Sequence, residues 1–366
     1  MRIAFHAPLK APDHPVPSGD RQMARLLLEA LRAGGHEAEV VSPFRSFLPW
    51  PDPDRMRVLE ADAAREAERL ARRFAGEGAP DLWFTYHSHY KAPDLLGPGL
   101  AARFGRAYVL AEASHAGKRA TGPWASWHAA NEAAIRAAGR HVCLTPRDAA
   151  GLAGLVDPAR VAMLPPFMAA EIVAPARRRS GPGPVELVTV AMMRPGDKAR
   201  SFASLAGAVA ALPASLDWRL TVVGDGPERP AVAALFAGLP PARLRWAGER
   251  DAEGVAAILA ESDLYVWPGF GEAYGMAFLE AAAAGLPVLA MDCGGIASVV
   301  EAGVTGLLTP EGDRDAFARA LARLVAEPAT RERLGAAGRR MVLEERTVAR
   351  AAGILASALE ALAPRP

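Results

Sequence analysis

The sequence predicts an α/β protein made of two doubly wound domains that face each other across a cleft. Short apolar runs alternate with amphipathic helical stretches along nearly the whole chain, which is typical of parallel sheets covered by helices on both faces. The 366 residues exceed what one hydrophobic core usually supports. Between about residues 165 and 184 the pattern gives way to proline, glycine and arginine runs, which indicate a linker.

These features predict an N-terminal domain over residues 1–170, a linker over 171–185 and a C-terminal domain over 186–344. The strands expected in the first domain are 2–6, 37–42, 82–86, 107–112, 141–145 and 160–164. Those expected in the second are 186–191, 219–223, 244–246, 264–267 and 287–291. The chain after residue 328 is predicted to be helical, and whether its last part, about 345–366, packs back on the first domain stays open.

Charge and composition exclude several classes of protein. Lysine plus arginine (42) nearly cancels aspartate plus glutamate (41), so nothing points to a nucleic-acid partner. Cys143 and Cys293 are too few for a disulfide framework and are expected to be buried as small apolar residues. No apolar stretch reaches about 18 residues. We expect a cytoplasmic protein, with peripheral contact at the inner face of the membrane left open.

The stretch from Gly269 to Glu280 carries the clearest chemical signal. It follows a predicted strand, contains three glycines and leads into a helical pattern, so backbone N–H groups at the helix start would favour a phosphate. If the helix begins near Gly275, Glu280 lies about one and a half turns into it. Glu272 lies on the preceding loop. Two carboxylates repel phosphate, so both are expected to accept hydrogen bonds from hydroxyl groups of the same ligand.

This Glu-x7-Glu element, in its Gly-x-Gly-Glu-x-x-Gly setting, resembles that of the retaining GT-B glycosyltransferases of the glycosyltransferase family 4 type, also called glycosyl transferases group 1. The resemblance implies two Rossmann-like domains, with Glu272 on the hydroxyls of the donor sugar and Glu280 on the ribose of the nucleotide. It also implies that the backbone contacts the diphosphate at Tyr274, Gly275, Met276 and Ala277.

A second stretch, residues 220–227, is similar to the strand and Gly-Asp-Gly-Pro turn of the same family and adds Gly224 to the donor side. Arg229 stands where a dinucleotide-binding fingerprint would have its third glycine, which counts against a dehydrogenase. After the first strand of the second domain come Arg194 and Lys198, which we expect to stabilise the departing diphosphate. Family members usually carry an arginine where this chain has Met192, two residues before Arg194.

The first domain carries fewer signals. Gly19 stands where the family has a glycine-rich loop that touches donor phosphate and acceptor, and Asp20 beside it is alternatively the helix N-cap. His115 stands where relatives place a histidine near the donor sugar, although a lone histidine is also often structural. The pair His87 and His89 lacks a third nearby ligand, so loop hydrogen bonds or a place in the acceptor cleft are favoured over a metal site.

The Asp-x-Asp pairs are Asp52-Pro53-Asp54, expected in a proline-rich loop, and Asp313-Arg314-Asp315, expected to open a helix with Asp313 as an ordinary cap. Neither is predicted at a strand end, so we expect no metal and no cofactor. The expected reaction moves a sugar from a nucleoside diphosphate sugar to an acceptor hydroxyl of a sugar, lipid-linked or small molecule, in polysaccharide, lipopolysaccharide or glycolipid synthesis. The resemblance implies retention at the anomeric carbon. Two alternatives stay open: a non-catalytic nucleotide-sugar binding subunit of the same shape, and an epimerase that acts on the nucleotide sugar alone.

Overall fold

A computed structural model of the chain describes residues 1–16, 18–169 and 183–362. The chain forms two compact units, one of Met1–Pro165 with Val348–Pro366 and the other of Pro166–Thr347. Most of the predicted linker, residues 171–182, lies outside the described residues. Each unit contains a parallel six-stranded sheet, as the alternation of strand and helix patterns predicts.

The first unit has the strand order β2-β1-β3-β4-β5-β6. Its strands are β1 (Arg2–His6), β2 (Glu37–Val40), β3 (Leu82–Tyr86), β4 (Ala107–Ala111), β5 (Arg140–Cys143) and β6 (Val161–Met163). Its helices are α1 (Gly19–Ala33), α2 (Pro53–Glu77), α3 (Gly97–Arg103), α4 (Ala125–Ala137), α5 (Pro146–Leu152) and, from the end of the chain, α12 (Val348–Glu360). Every residue of β3 is buried, as expected for a central strand covered on both faces.

The apolar pattern predicts a helix over residues 20–33, and helix α1 begins one residue earlier, at Gly19. Ser18 is the N-cap, and its Oγ accepts a hydrogen bond from the Arg21 backbone N–H at 3.2 Å. The alternative that Asp20 is the cap is therefore wrong, because Asp20 lies in the first turn. Because Ser18 is the cap, the Asp20 carboxylate is available to contact a side chain elsewhere in this unit.

Helix α12 packs against α1 in the first unit, although it follows the whole second unit in sequence. Its apolar face is buried, and Leu355 on that face has no exposed surface. The loss of water contact by this face stabilises α12 on the first unit.

The second unit has the strand order β12-β11-β10-β7-β8-β9. Its strands are β7 (Val185–Val190), β8 (Trp218–Val223), β9 (Leu244–Gly248), β10 (Leu264–Val266), β11 (Val288–Asp292) and β12 (Gly306–Pro310). Its helices are α6 (Asp197–Ala210), α7 (Arg229–Leu235), α8 (Ala252–Ala260), α9 (Met276–Ala283), α10 (Arg314–Ala326) and α11 (Pro328–Glu345). The sequence pattern did not predict β12.

The Asp-x-Asp pairs lie at helix starts. Asp313 caps α10, where its Oδ1 accepts a hydrogen bond from the Ala316 N–H at 2.8 Å, as predicted. Asp52 was expected in a loop but caps α2, with Pro53 in the first helical position. In the described part of the chain, no helix combines the length and the apolar character that a membrane span requires.

Candidate functional site

The second sheet has a topological switch point between β7 and β10. These strands are adjacent, yet the chain runs outward from β7 through β8 to β9 and, on the other side, from β10 through β11 to β12. The loops that leave the carboxyl ends of β7 and β10 therefore diverge, and open parallel sheets bind their ligands in the crevice this creates. The predicted donor residues after these two strands lie at this place.

Lys198 and Glu272, one after each of these strands, contact each other. Lys198 lies in the first turn of α6, and its Nζ donates a hydrogen bond to Glu272 Oε1. The same oxygen accepts a hydrogen bond from Trp267 Nε1 at 2.9 Å, and the ammonium lies 5.6 Å from the centre of the Trp267 ring. Because Trp267 is only 1% exposed, the pair is fixed against a rigid wall.

Helix α9 presents an N-terminus without a side-chain cap at the same edge. Its N-cap residue, Gly275, has φ 77°, a value that favours glycine. A Cβ atom on Gly275 would lie 2.6 Å from a ring carbon of Phe278, so only glycine fits without displacing this side chain. The Phe278 N–H donates to the Gly275 carbonyl at 3.1 Å, which leaves the backbone N–H groups of Met276 and Ala277 available to an anion.

Glu280 lies on α9, one turn beyond its start, and is partly buried. Burial raises the pKa of its carboxyl above the ordinary value. Within the described residues, no hydrogen bond or ion pair to this carboxylate accompanies the burial. A half-buried carboxyl of this kind is suited to accept hydrogen bonds from the hydroxyls of a ligand.

Gly224 and Arg194 lie on neighbouring loops of this edge. A Cβ atom on Gly224, which has φ 122°, would lie 2.0 Å from the Ala191 carbonyl oxygen, so the glycine lets the loops after β7 and β8 pack backbone to backbone. This is a structural reason for the glycine, and its contact with the donor stays a prediction. Arg194 is exposed on the loop after β7, four residues before Lys198.

Comparison with known proteins identifies this unit. Residues 184–327 match the family model described as glycosyl transferases group 1. The matched residues form a glycosyl transferases group 1 domain. A phosphatidyl-myo-inositol mannosyltransferase from Mycobacterium leprae is 38% identical over 123 residues, which are 33% of this chain and 32% of that protein. The chain thus matches about a third of the length of this curated relative.

Solved structures extend the likeness beyond the group 1 domain to both units. Sucrose-phosphate synthase from Thermosynechococcus elongatus superposes with a TM-score of 0.76 at 20% identity, covering 99% of this chain and 98% of that one. Anabaena HepE, solved in complex with UDP and glucose, has a TM-score of 0.71 at 15% identity over 99% and 100% of the two chains. The chain has the GT-B fold of two Rossmann-like domains, as the sequence resemblance predicts.

Outside the group 1 domain, Gly19 and His115 lie in separate settings of the first unit. Gly19 opens α1, with open space where a Cβ would lie. His115 Nε2 lies 3.2 Å from Glu132 Oε2, and its ring centre is 4.9 Å from that of His128. A part for His115 or Gly19 in donor binding stays a prediction.

His115, His128 and Glu132 are also the group of described residues best suited to hold a metal ion. Each offers a ligand atom, and these atoms lie within 4.8 Å of one another. Two ligands of one zinc ion at about 2.1 Å each are at most about 4.2 Å apart, and His115 Nε2 and Glu132 Oε2, which are 3.2 Å apart, satisfy this limit. Arg136 already neutralises Glu132, which accepts a 2.8 Å hydrogen bond from it.

A second polar cluster, which sequence reasoning did not assemble, lies at the carboxyl edge of the first sheet. His87 follows β3 and Glu112 follows β4, and both have left-handed backbone, with φ 59° and 53°. His87 Nδ1 lies 3.1 Å from Asp20 Oδ1. Left-handed backbone in a residue other than glycine costs about 1–3 kcal/mol and is common at functional sites. Positive φ leaves no sequence signal in a histidine or a glutamate.

Burial and the nearest opposite charge act in opposite directions on the pKa values of His87 and Glu112. Burial alone would lower the pKa of His87, but Glu112 and Asp20 outweigh it and raise the pKa to about 9. Burial raises the pKa of Glu112 to about 7, against the effect of His87 and with that of Asp148. At neutral pH, His87 is therefore a cation and Glu112 is close to half ionised.

Proposed function

We propose that the protein is a glycosyltransferase that moves a sugar from a nucleoside diphosphate sugar to an acceptor hydroxyl, with retention at the anomeric carbon, in the synthesis of polysaccharide, lipopolysaccharide or glycolipid. The group 1 domain and the relative named as a mannosyltransferase support the class of reaction. The structural neighbour solved with UDP and glucose supports a nucleotide-sugar donor.

One observation carries the proposal: the Lys198–Glu272 pair, the uncapped start of α9 and the unpaired carboxyl of Glu280 share one edge of the second sheet. A nucleoside diphosphate sugar needs a cation and backbone donors for its phosphates, and acceptor oxygens for its hydroxyls. In this proposal the start of α9 binds the diphosphate, Glu280 binds the ribose and Glu272 binds the donor sugar.

The proposed mechanism depends on stabilising the negative charge of the leaving group. When the bond to the sugar breaks, negative charge builds on the departing diphosphate, and Lys198, Arg194 and the helix start stabilise it. The acceptor hydroxyl attacks on the face from which the diphosphate leaves, and a diphosphate oxygen takes its proton. The reaction then needs neither a protein nucleophile nor a metal ion.

Titration of the protein with UDP, GDP and ADP by calorimetry tests the donor site. At least one should bind, and Glu280→Ala should weaken it by about 1–3 kcal/mol, or about 5- to 150-fold, because hydrogen bonds to the ribose are lost. Glu253→Ala, on the exposed start of α8 in the same unit, is the matched control and should bind as the wild type.

The same samples separate the alternatives. If none of the three nucleotides binds, the nucleotide-sugar proposal is wrong. Conversion of a donor sugar without any acceptor would indicate an epimerase, and binding without turnover towards any acceptor would indicate a non-catalytic subunit. An unchanged dissociation constant in Glu280→Ala would contradict its place at the ribose.

A further inference from the structure

The group of His115, His128 and Glu132 in the first unit has the arrangement of a three-ligand metal site. His128 and Glu132 are four positions apart on α4, so their side chains lie on one face of the helix. His115 comes from the loop between β4 and α4 and approaches that face, with its Nε2 3.2 Å from Glu132 Oε2. Ligands at positions i and i+4 of a helix, completed by a third from elsewhere, are a known way to bind zinc.

The distances in this group are close to those that a metal ion requires. The three ligand atoms lie within 4.8 Å of one another. Tetrahedral ligands at about 2.1 Å from a zinc ion lie about 3.4 Å apart, a separation that the His115–Glu132 pair already has. The ring of His115 is centred 4.9 Å from that of His128. Since His115 lies on a loop, a small movement of its ring closes the remaining gap.

His128 provides a separate reason to expect a ligand. Only 3% of this residue is exposed, and its Nε2 has no hydrogen-bond partner among the described residues. A buried ring nitrogen without a partner costs free energy that a ligand can recover. A neutral imidazole offers a lone pair on one ring nitrogen, which is the form that binds a metal ion.

The cations around the group limit its affinity without occupying it. Arg136 donates from Nε at 3.0 Å and from Nη2 at 2.8 Å to Oε1 of Glu132, whereas Oε2 is the oxygen beside His115. Such a partner orients a ligating carboxylate, but its charge opposes a metal cation. Lys118 and Arg119 follow on the same loop; Lys118 is exposed, and the Arg119 guanidinium lies 5.3 Å from the centre of an aromatic ring. We expect micromolar rather than nanomolar affinity.

We propose that His115, His128 and Glu132 bind a divalent first-row transition metal ion such as zinc, with water in the fourth position. Two imidazoles and one carboxylate suit zinc and cobalt, whereas magnesium prefers a shell of oxygen ligands. The side chains of His115 and Glu132 are 17% and 29% exposed, so the site opens to solvent. The ion ties the loop after β4 to α4. The site does not depend on the proposed glycosyl transfer.

The test is a zinc titration of the untagged full-length protein at neutral pH, in competition with a chromophoric chelator and after removal of metals with EDTA. One zinc ion should bind per chain, and magnesium should not compete with it. His115→Ala and Glu132→Gln should each weaken zinc binding at least about tenfold, because one of three ligands is lost. Both side chains are partly exposed, so these variants disturb packing less than a change at His128 would.

Cobalt(II) gives a second measurement of the same site. In the wild type it should produce the visible absorption bands of a tetrahedral ion, and both variants should lose them. Thermal unfolding without metal shows that each variant folds. With zinc, the wild-type midpoint should rise, since the ion binds the folded state, and the midpoints of the two variants should rise less.

Two control variants should bind zinc as the wild type does. Glu77→Gln removes a carboxylate that Arg73 contacts at 2.9 Å, in the same i, i+4 pairing on a helix of the same unit as that of Glu132 with Arg136. His89→Ala removes a histidine whose Nδ1 already accepts a hydrogen bond from a backbone N–H at 3.0 Å. It tests whether zinc prefers the other pair of neighbouring histidines, His87 and His89.

The absence of zinc binding would overturn the proposal, as would equal zinc affinity in the wild type and both ligand variants. Loss of binding in His89→Ala alone, or equal competition by magnesium, would also overturn it. Nucleoside diphosphate titration of the same samples separates the two proposals. If zinc binds and no nucleotide does, the proposed function fails and the metal site stands; the reverse result leaves the proposed function and removes the metal site.

Discussion

At the scale of single residues, Lys198 and Glu272 show how the fold can hold a cation ready beside the proposed phosphate site. The two residues are 74 positions apart in sequence, and Lys198 lies over the indole ring of Trp267. The carboxylate keeps the ammonium at the sheet edge, so little side-chain entropy remains to be lost when a diphosphate binds. We therefore expect Lys198 to matter for the rate of transfer more than for the affinity of the nucleotide.

The first prediction concerns Lys198→Met. It should lower kcat by about 10²- to 10³-fold, because a preorganised charge that stabilises the leaving group is lost. Arg245→Met, an exposed cation in the same unit, is the control and should leave kcat within about twofold. Steady-state kinetics with the donor found by nucleotide titration measures both. Equal kcat in Lys198→Met and Arg245→Met would contradict the role.

Residues differ in how far the sequence reveals them. The places of Glu272 on the loop before α9 and of Glu280 in α9 could be predicted because their spacing and glycine setting are local; their roles stay predictions. The contact between Lys198 and Glu272, and the pairing of His87 with Asp20, depend on which strands become neighbours, which no short window of sequence contains. Ser18 as the cap of α1 was missed because serine and aspartate are both good caps and stand two residues apart.

At the scale of elements, the start of α9 has a geometry that tolerates little change. Gly275 and Gly303 have nearly the same φ, 77° and 76°, but a Cβ would crowd Phe278 in the first case and meet nothing within 4 Å in the second. The two positions therefore share backbone strain and differ in crowding. This makes Gly303 a matched control for Gly275.

We predict that Gly275→Ala lowers the free energy of unfolding by about 1–3 kcal/mol more than Gly303→Ala, the cost of forcing a methyl into a packed place. It should also weaken nucleoside diphosphate binding, because the start of α9 must shift to make room. Denaturant titration and calorimetry measure the two effects. Equal stability and equal nucleotide affinity in both variants would show that the α9 start is not held this tightly.

Among the elements, β12 shows a limit of pattern reading. Its run, Gly306–Pro310, is short, begins with glycine and ends with proline, so local propensity opposes a strand. Tertiary pairing with β11 overrides that propensity. The glycine is needed there, because a Cβ on Gly306 would lie 2.5 Å from the Val288 carbonyl oxygen.

At the scale of the whole molecule, the first unit is completed by the last helix of the chain. The alternation of strand and helix patterns was enough to predict two parallel α/β sheets, because both faces of each strand must be covered. Where α12 packs could not be predicted, since its amphipathic face would fit many apolar partners. Only the structure assigns it to α1.

This assignment predicts which unit is destabilised by a substitution in α12. Leu355→Ala should cost about 2–5 kcal/mol and lower hydrogen-exchange protection in β1 to β6, because it leaves a cavity against α1. Leu321→Ala in α10 is an equally buried control that belongs to the second unit, and it should lower protection in β7 to β12 instead. Hydrogen-exchange mass spectrometry resolves the two. Loss of protection in the second unit by Leu355→Ala would contradict the division.

The central claim is that a nucleoside diphosphate binds at the switch point of the second sheet, and hydrogen exchange of the full chain with and without the bound nucleotide tests it most directly. The account predicts protection concentrated in the loops after β7 and β10 and in the first turn of α9, and weaker protection there in Glu280→Ala at the same subsaturating nucleotide concentration. Protection centred on the first sheet, or none at saturating nucleotide, would contradict it.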